Sequence, residues 1–405
     1  MSIVNKSQIL LPKGVNYQNW AVIACDQFTS QPSYWKKLES FVGDSPSALK
    51  LTYPEIYLNN NQQERIDEIN ANIENYLASD IFYCLDSFVL VERTIANNKK
   101  RLGLVAAVDL ESYEYTRVRA GIRATEDTIL ERLPVRLSIR KNASIELPHI
   151  ILLMDDDAKS IIEPIFAQKD KLEKLYDFEL NMDGGHIIGY KVDCRDELIT
   201  KFDKLLDKSV QIKKYGHDAG IAFAVGDGNH SMATAKEHWN AIKESLSDKE
   251  RLTHPARYCL VEILNIYDEG VVFEPIHRVV FAKDNDKFIG GLKNALKGDG
   301  NIELITSDKS IKLSCPKSSA QTISAVQEYI ESSLIKNEIE VDYVHGLNHV
   351  KEVVSEKGGI GIIMPEFLPS ELFNYIINVG NLPKKAFSIG TAENKKYYLE
   401  AKRIK

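Results

Sequence analysis

No two of the five cysteines, Cys25, Cys84, Cys194, Cys259 and Cys315, stand in a Cys-x-x-Cys pair. Their scatter argues against a structural zinc site and against a disulfide framework, and it suits a reducing cytoplasm. No long apolar run is present. Stretches such as Ile150–Met154 are far too short to cross a bilayer, so no membrane association is expected. The opening segment, Met1 to Leu11, has one short apolar cluster and no cleavage signal. Basic residues are not in excess: 51 Lys and Arg face 58 Asp and Glu, for a net charge of −7. That balance gives no overall basic footprint for nucleic acid, and no helix-turn-helix is recognisable. Internal repeats, low-complexity tracts and an obvious disordered linker are also missing.

What is present is ordinary for a globular protein: 44% hydrophobic and 27% charged residues in a chain of 405. That length suits two or three domains. The stretch of greatest interest is Gly220-Ile-Ala-Phe-Ala-Val-Gly-Asp-Gly-Asn-His-Ser-Met-Ala-Thr-Ala-Lys-Glu-His-Trp239. Ile221–Val225 is a short apolar run without alternation, as in a strand covered on both faces. Gly226 and Gly228 break it. Met232, Ala235, Trp239 and Ile242 then recur at helical spacing, which predicts a helix beginning near Ser231. The loop Gly226-Asp227-Gly228-Asn229-His230-Ser231 thus sits at a helix N-terminus, where backbone N–H groups and the helix dipole favour a phosphate. The same residues also suit a plain strand-to-helix turn capped by Ser231 or Asn229.

Four other segments carry candidate chemistry. Trp20–Ser30 reads as a buried strand over Ala21–Cys25 with Asp26 at its end, where open α/β folds place ligand groups; an Asx turn is the other reading. Arg117, Arg119, Arg123, Arg132, Arg136 and Arg140 crowd one short window of an acidic chain. Arginine holds its charge and presents a fork that matches phosphates and carboxylates. Arg123 and Glu126 are the choices there; pairing with Glu126, Asp127 and Glu131 accounts for most of the others. Asp155-Asp156-Asp157 closes a strand and reads as a divalent-cation site or as a solvated turn. His277 and Arg278 interrupt an apolar strand, where buried polar groups need partners. Elsewhere the pattern predicts a helix over Ile161–Leu180, alternating helices and strands through the last third, and a hairpin over Ala386–Lys402. The fold class expected is mixed α/β, with a main domain over 1–285 and a C-terminal α/β region over 286–405.

Six motifs occur together: Trp20-Ala-Val-Ile-Ala-Cys-Asp-Gln-Phe-Thr-Ser30, Ile122-Arg-Ala-Thr-Glu126, Arg132-Leu-Pro134, Glu146-Leu-Pro-His149, Asp227-Gly-Asn-His-Ser231 and Phe273-Glu-Pro-Ile-His-Arg278. In this order they resemble the domain-of-unknown-function 1015 family over almost the whole chain. Members typically carry Asp-Gly-His-His-Arg where this chain has Asp227-Gly-Asn-His-Ser231. That signature is similar to one in free-serine kinases of the ParB/sulfiredoxin-like group, which implies a ParB/sulfiredoxin-like nucleotide-binding core. Asn229 and Ser231 depart from the pattern, and the second departure removes a phosphate-binding cation.

The resemblance implies a nucleotide-dependent kinase acting on the hydroxyl of a small metabolite such as free serine, with ATP or ADP and Mg²⁺ as cofactors. Phosphoryl transfer asks mainly for positioning and charge neutralisation. In that reading the loop 226–231 and His230 hold phosphate and Asp227 holds Mg²⁺. Arg123, Arg136 or Arg278 supplies positive charge, and Asp26 or Glu126 accepts the hydroxyl proton. The partners are then a nucleotide and a small molecule, with neither nucleic acid nor membrane; a homo-oligomer is left open. Two other classes remain: a non-catalytic sensor of nucleotides or phosphometabolites, and a metal-dependent phosphate-ester hydrolase built on Asp155–Asp157.

Overall fold

The structure is a computed structural model. It describes every residue except Met1, Ser7, Ser30, 59–61, Ala96, Asn97, Arg117 and 129–132. Arg117, Glu131 and Arg132 therefore lie outside the described residues. The fold is mixed α/β, in two compact units. The first comprises 1–124, 128–271 and 391–405, and the second 125–127 and 272–390.

The first unit is built on a sheet in which Lys174–Glu179, His186–Val192, Phe88–Thr94, Lys100–Asp109, Tyr258–Asn265, Ile151–Met154, Phe223–Asp227, Ile122–Ala124 and Tyr113–Glu114 lie side by side in that order. Its central strands are buried along most of their length: all four residues of Ile151–Met154 and seven of eight in Tyr258–Asn265 are inaccessible. That is why they read as continuous apolar runs rather than alternating ones. Phe88–Thr94 pairs antiparallel with Lys100–Asp109, with Val89 opposite Val105. Phe202, from the helix Arg195–Lys204, packs against Phe223.

Three expectations are corrected here. Ile161–Leu180 is not one helix: a single turn, Glu163–Phe166, is followed by the strand Lys174–Glu179, which pairs antiparallel with His186–Val192. Pairing in the sheet buries Tyr176 and gives its hydroxyl the Glu400 carboxylate at 2.7 Å, which outweighs local helical pattern. Ala21–Cys25 is buried but makes only one isolated bridge, Ile23 to Lys396. Ala386–Lys402 is not a hairpin. Phe387–Ile389 pairs with Phe273–Pro275 in the second unit, whereas Lys402 and Arg403 pair with Glu146 and Ile145 in the first. The tail 391–405 accordingly belongs to the first unit, and the strand Phe273–Ala282 to the second.

The second unit holds a sheet ordered Ser310–Cys315, Gly300–Ile305, Ile360–Ile363, Phe273–Ala282 and Ile339–His345. The helices Ser319–Ile335, Leu347–Lys357 and Pro369–Asn378 occur close to where periodicity put them. Among the described residues no helix is long and apolar enough to cross a membrane.

Lys396 marks how tightly the tail is held. It is 3% exposed, its ammonium donates to the backbone and side-chain oxygens of Asn181, and burial, with Arg93 nearby, pushes its pKa from 10.5 down to about 7. Between those two pH values the unfolded chain binds the proton and the folded chain does not, so this group makes stability rise with pH, by up to about 1.4 kcal/mol per unit. Below pH 7 its cost is fully present. Urea denaturation of the wild type and Lys396→Met from pH 6 to pH 10 is expected to show the variant's relative stability falling as pH rises through that window. A pH-independent difference contradicts the assignment.

Candidate functional site

The strand Phe223–Asp227 runs antiparallel to Ile151–Met154 and parallel to Ile122–Ala124, with Ala224 opposite Arg123. Gly228 follows in the left-handed region, at φ +80° and ψ +26°, and turns the chain directly into the helix Asn229–Lys243. The helix thus begins two residues before the expected Ser231. A glycine is required at this point: a Cβ on Gly228 would sit 3.0 Å from Ile150 Cγ1 and 3.1 Å from Ile150 Cα. No side chain caps the helix from Gly228, and the Gly228 N–H donates to Asp227 Oδ1 at 2.8 Å. Ser231 stands inside the first turn, so it is not the N-cap. Its hydroxyl lies 3.2 Å from His149 Nε2.

Residues distant in sequence gather at this loop. Asp227 is paired with Lys395 of the tail, Oδ2 to Nζ at 3.0 Å. Asp26 is half-buried at the end of the Ala21–Cys25 segment and accepts from Gln27 Nε2 at 2.9 Å. Burial works against ionising Asp26, but the charges of His149, Lys395 and Arg136, aided by the Gln27 bond, outweigh it and hold the carboxyl below its ordinary value. Asp26, His149 and Lys395 therefore share one electrostatic neighbourhood with the loop. Cys25 is no nucleophile there: burial, with Asp26 beside it, pushes its thiol up to about 12.

A pocket of about 180 Å³ opens against this cluster, lined by Cys25, Arg136, His149, Ser231 and Tyr397 together with aliphatic and further charged side chains. Arg136 is ion-paired with Glu55. A smaller cavity, on which Asp227, His149 and Lys395 also border, lies beside the buried Arg101, Glu262 and Tyr398 network.

Arg123 is the outlier among the arginines. It is 7% exposed, its Nε has no hydrogen-bond partner, and no carboxylate pairs with it among the described residues. Burial alone lowers its pKa. A buried cation without a counter-charge is costly, and it marks a place where an anion would be stabilised.

The other expected residues are placed differently. Glu126 and Arg278 belong to the second unit. Arg278 is fully buried there; it donates to the carbonyl oxygens of Ile276 and Lys385 and to Gln327, and stacks on Tyr343. Asp155 and Asp157 pair with Lys214, and Asp156 caps the turn at Ser160 and Ile161. Among the described residues no group of three His, Cys, Asp or Glu is arranged to hold a metal. The Lys395 ammonium on Asp227 likewise does not fit a protein-held Mg²⁺. Sequence reasoning singled out neither Lys395 nor Tyr397. His149 was visible only as the last residue of the Glu146-Leu-Pro-His149 motif.

These features define a polar cluster at a glycine-turned helix start in an α/β protein. The chain belongs to the DUF1015 family, described as proteins of unknown function, whose model matches residues 10–365. No curated protein matches it. Among solved structures, a conserved hypothetical protein from Pyrococcus furiosus is similar at 13% identity and TM-score 0.34, over 70% of this chain and 89% of that one. A free serine kinase in complex with AMP is similar at 11% and 0.38, over 73% and 91%. A C-terminally truncated SbnI from Staphylococcus aureus is similar at 10% and 0.37, over 69% and 80%. Likenesses this remote carry no argument about activity.

The turn itself can be tested. Gly228→Ala forces a side chain into the left-handed region against Ile150, and is expected to cost about 1–2 kcal/mol for the backbone alone. Chemical denaturation showing no loss contradicts the described geometry.

Proposed function

We propose that the chain is a nucleotide-dependent kinase that phosphorylates the hydroxyl of a small metabolite, with free L-serine the first acceptor to test. The observation that carries this reading is Arg123: a buried, unpaired cation on the strand next to the one that delivers the Gly226–Ser231 loop. The positive end of a 15-residue helix and an arginine without a counter-charge together suit a polyphosphate. The arginine missing at position 231 is then replaced from the adjacent strand.

The roles follow from the placements within the first unit. Loop backbone, His230 and Arg123 hold phosphate. Lys395 adds positive charge beside Asp227. Asp26 is kept ionised by its cationic neighbours and accepts the proton of the attacking hydroxyl. Glu126 and Arg278, in the second unit, have no part in these steps. Mg²⁺ would enter with the nucleotide phosphates, as it commonly does, and no step here is assigned to it. The ParB/sulfiredoxin-like architecture is part of the same proposal.

Two variants separate binding from chemistry. Arg123→Met is expected to leave the ligand-free protein as stable as the wild type or more so. It should weaken ATP binding by about 1.5–3 kcal/mol, the worth of a hydrogen-bonded charge, measured by calorimetry. Asp26→Asn is expected to keep ATP affinity and to lower ADP formation with serine by about 10²–10⁴. Wild-type protein that forms no phosphorylated product with any small hydroxylated metabolite overturns the kinase reading. Tight ATP binding without turnover is the outcome a nucleotide sensor gives.

A further inference from the structure

The Ser231–His149 contact and the pocket beside it are not used by phosphoryl transfer. Ser231 Oγ lies 3.2 Å from His149 Nε2, the distance at which a serine hydroxyl donates to an imidazole base. Both residues line the 180 Å³ pocket. Aliphatic side chains such as Leu51, Ile69, Ile73 and Leu260 also line it, together with the charged Glu55, Arg140 and Glu146. Serine and histidine come from distant parts of the chain, 82 positions apart. The helix holds the first and the segment before Ile151–Met154 holds the second. His149 is further fixed by an edge-on contact with the Tyr397 ring, 5.3 Å between centroids at 80°.

We propose that Ser231 and His149 are a nucleophile and its general base, and that the pocket takes the acyl group of a short, apolar carboxylic ester. Ser231 Oγ bonds to the acyl carbon as its proton passes to His149 Nε2. The bond to the alcohol oxygen breaks, and the alcohol leaves with that proton. Water then attacks the acyl carbon, gives a proton to His149 Nε2, and the acid departs as that proton returns to Ser231. No oxidant, metal or nucleotide is consumed. The helix N-terminus, in whose first turn Ser231 stands, favours the negative charge that develops on the acyl oxygen. About 180 Å³ leaves room for an acyl chain of a few carbons and none for a long lipid chain.

The test uses the full chain without nucleotide, so it stands or falls apart from the kinase reading. Wild-type protein is expected to hydrolyse p-nitrophenyl butyrate. Ser231→Ala and His149→Asn should each lose about 100-fold or more of that rate. A fluorophosphonate probe should add one phosphonyl group to the native protein, located by peptide mass spectrometry at Ser231, and none to the unfolded protein. His149→Asn should label slowly, which separates lost base catalysis from a lost fold when circular dichroism is unchanged. Absence of labelling in the wild type, labelling at another residue, or hydrolysis that survives Ser231→Ala overturns the proposal.

Discussion

The ion pair between Lys395 and Asp227, at 3.0 Å, is where the end of the chain is joined to the loop at the heart of the first unit. It depends on the tail 391–405 returning to that unit. The return is well supported. Tyr397 N–H donates to Val22 O, Ala24 N–H to Lys395 O, and Leu10 and Ala401 exchange both backbone bonds. Of these tail residues, Lys396, Tyr397, Tyr398, Leu399, Glu400, Ala401 and Lys402 are all buried. So polar a segment is interior because most of its polar groups find partners: Glu400 Oε1 takes the Tyr176 hydroxyl, Tyr398 takes Arg93 and Arg101, and Lys402 takes the carbonyls of Pro255 and Arg403.

That arrangement sets the electrostatics of the cluster. The Asp26 carboxyl is held below its ordinary value by neighbours from three separate segments, at 149, 395 and 136. Asp227 is balanced by a lysine, while Arg123, on the neighbouring strand, has no carboxylate to balance it among the described residues. Arg123 is thus a cation without a carboxylate partner among the described residues, on the strand beside the loop, inside a protein whose net charge is −7. A global count cannot reveal this, because surface charge and site charge are independent quantities.

Much of the fold was legible. Glycine punctuation and apolar runs located the loop, its strand and its helix, and helical periodicity found three helices of the second unit but not Asn285–Ala295. The errors share a cause. Lys174–Glu179 is a strand because His186–Val192 pairs with it, and the tail is not a hairpin because its two arms have partners in different units. Both facts are tertiary and leave weak local traces. In the site, Asp26 and the loop were readable from position in a pattern. Lys395 was not, since its partner lies 168 positions away and an isolated lysine after a polar turn carries no signal. Glu126 stands three residues from Arg123 in sequence, yet the two belong to different compact units.

The central claim is that the Gly226–Ser231 loop and Arg123 form a phosphate site. A crystal structure of the protein with a non-hydrolysable ATP analogue tests it most directly. The account predicts phosphate oxygens within hydrogen-bond distance, about 2.7–3.1 Å, of the loop N–H groups and of the Arg123 guanidinium. A nucleotide bound elsewhere, with Arg123 still unpaired, would contradict it.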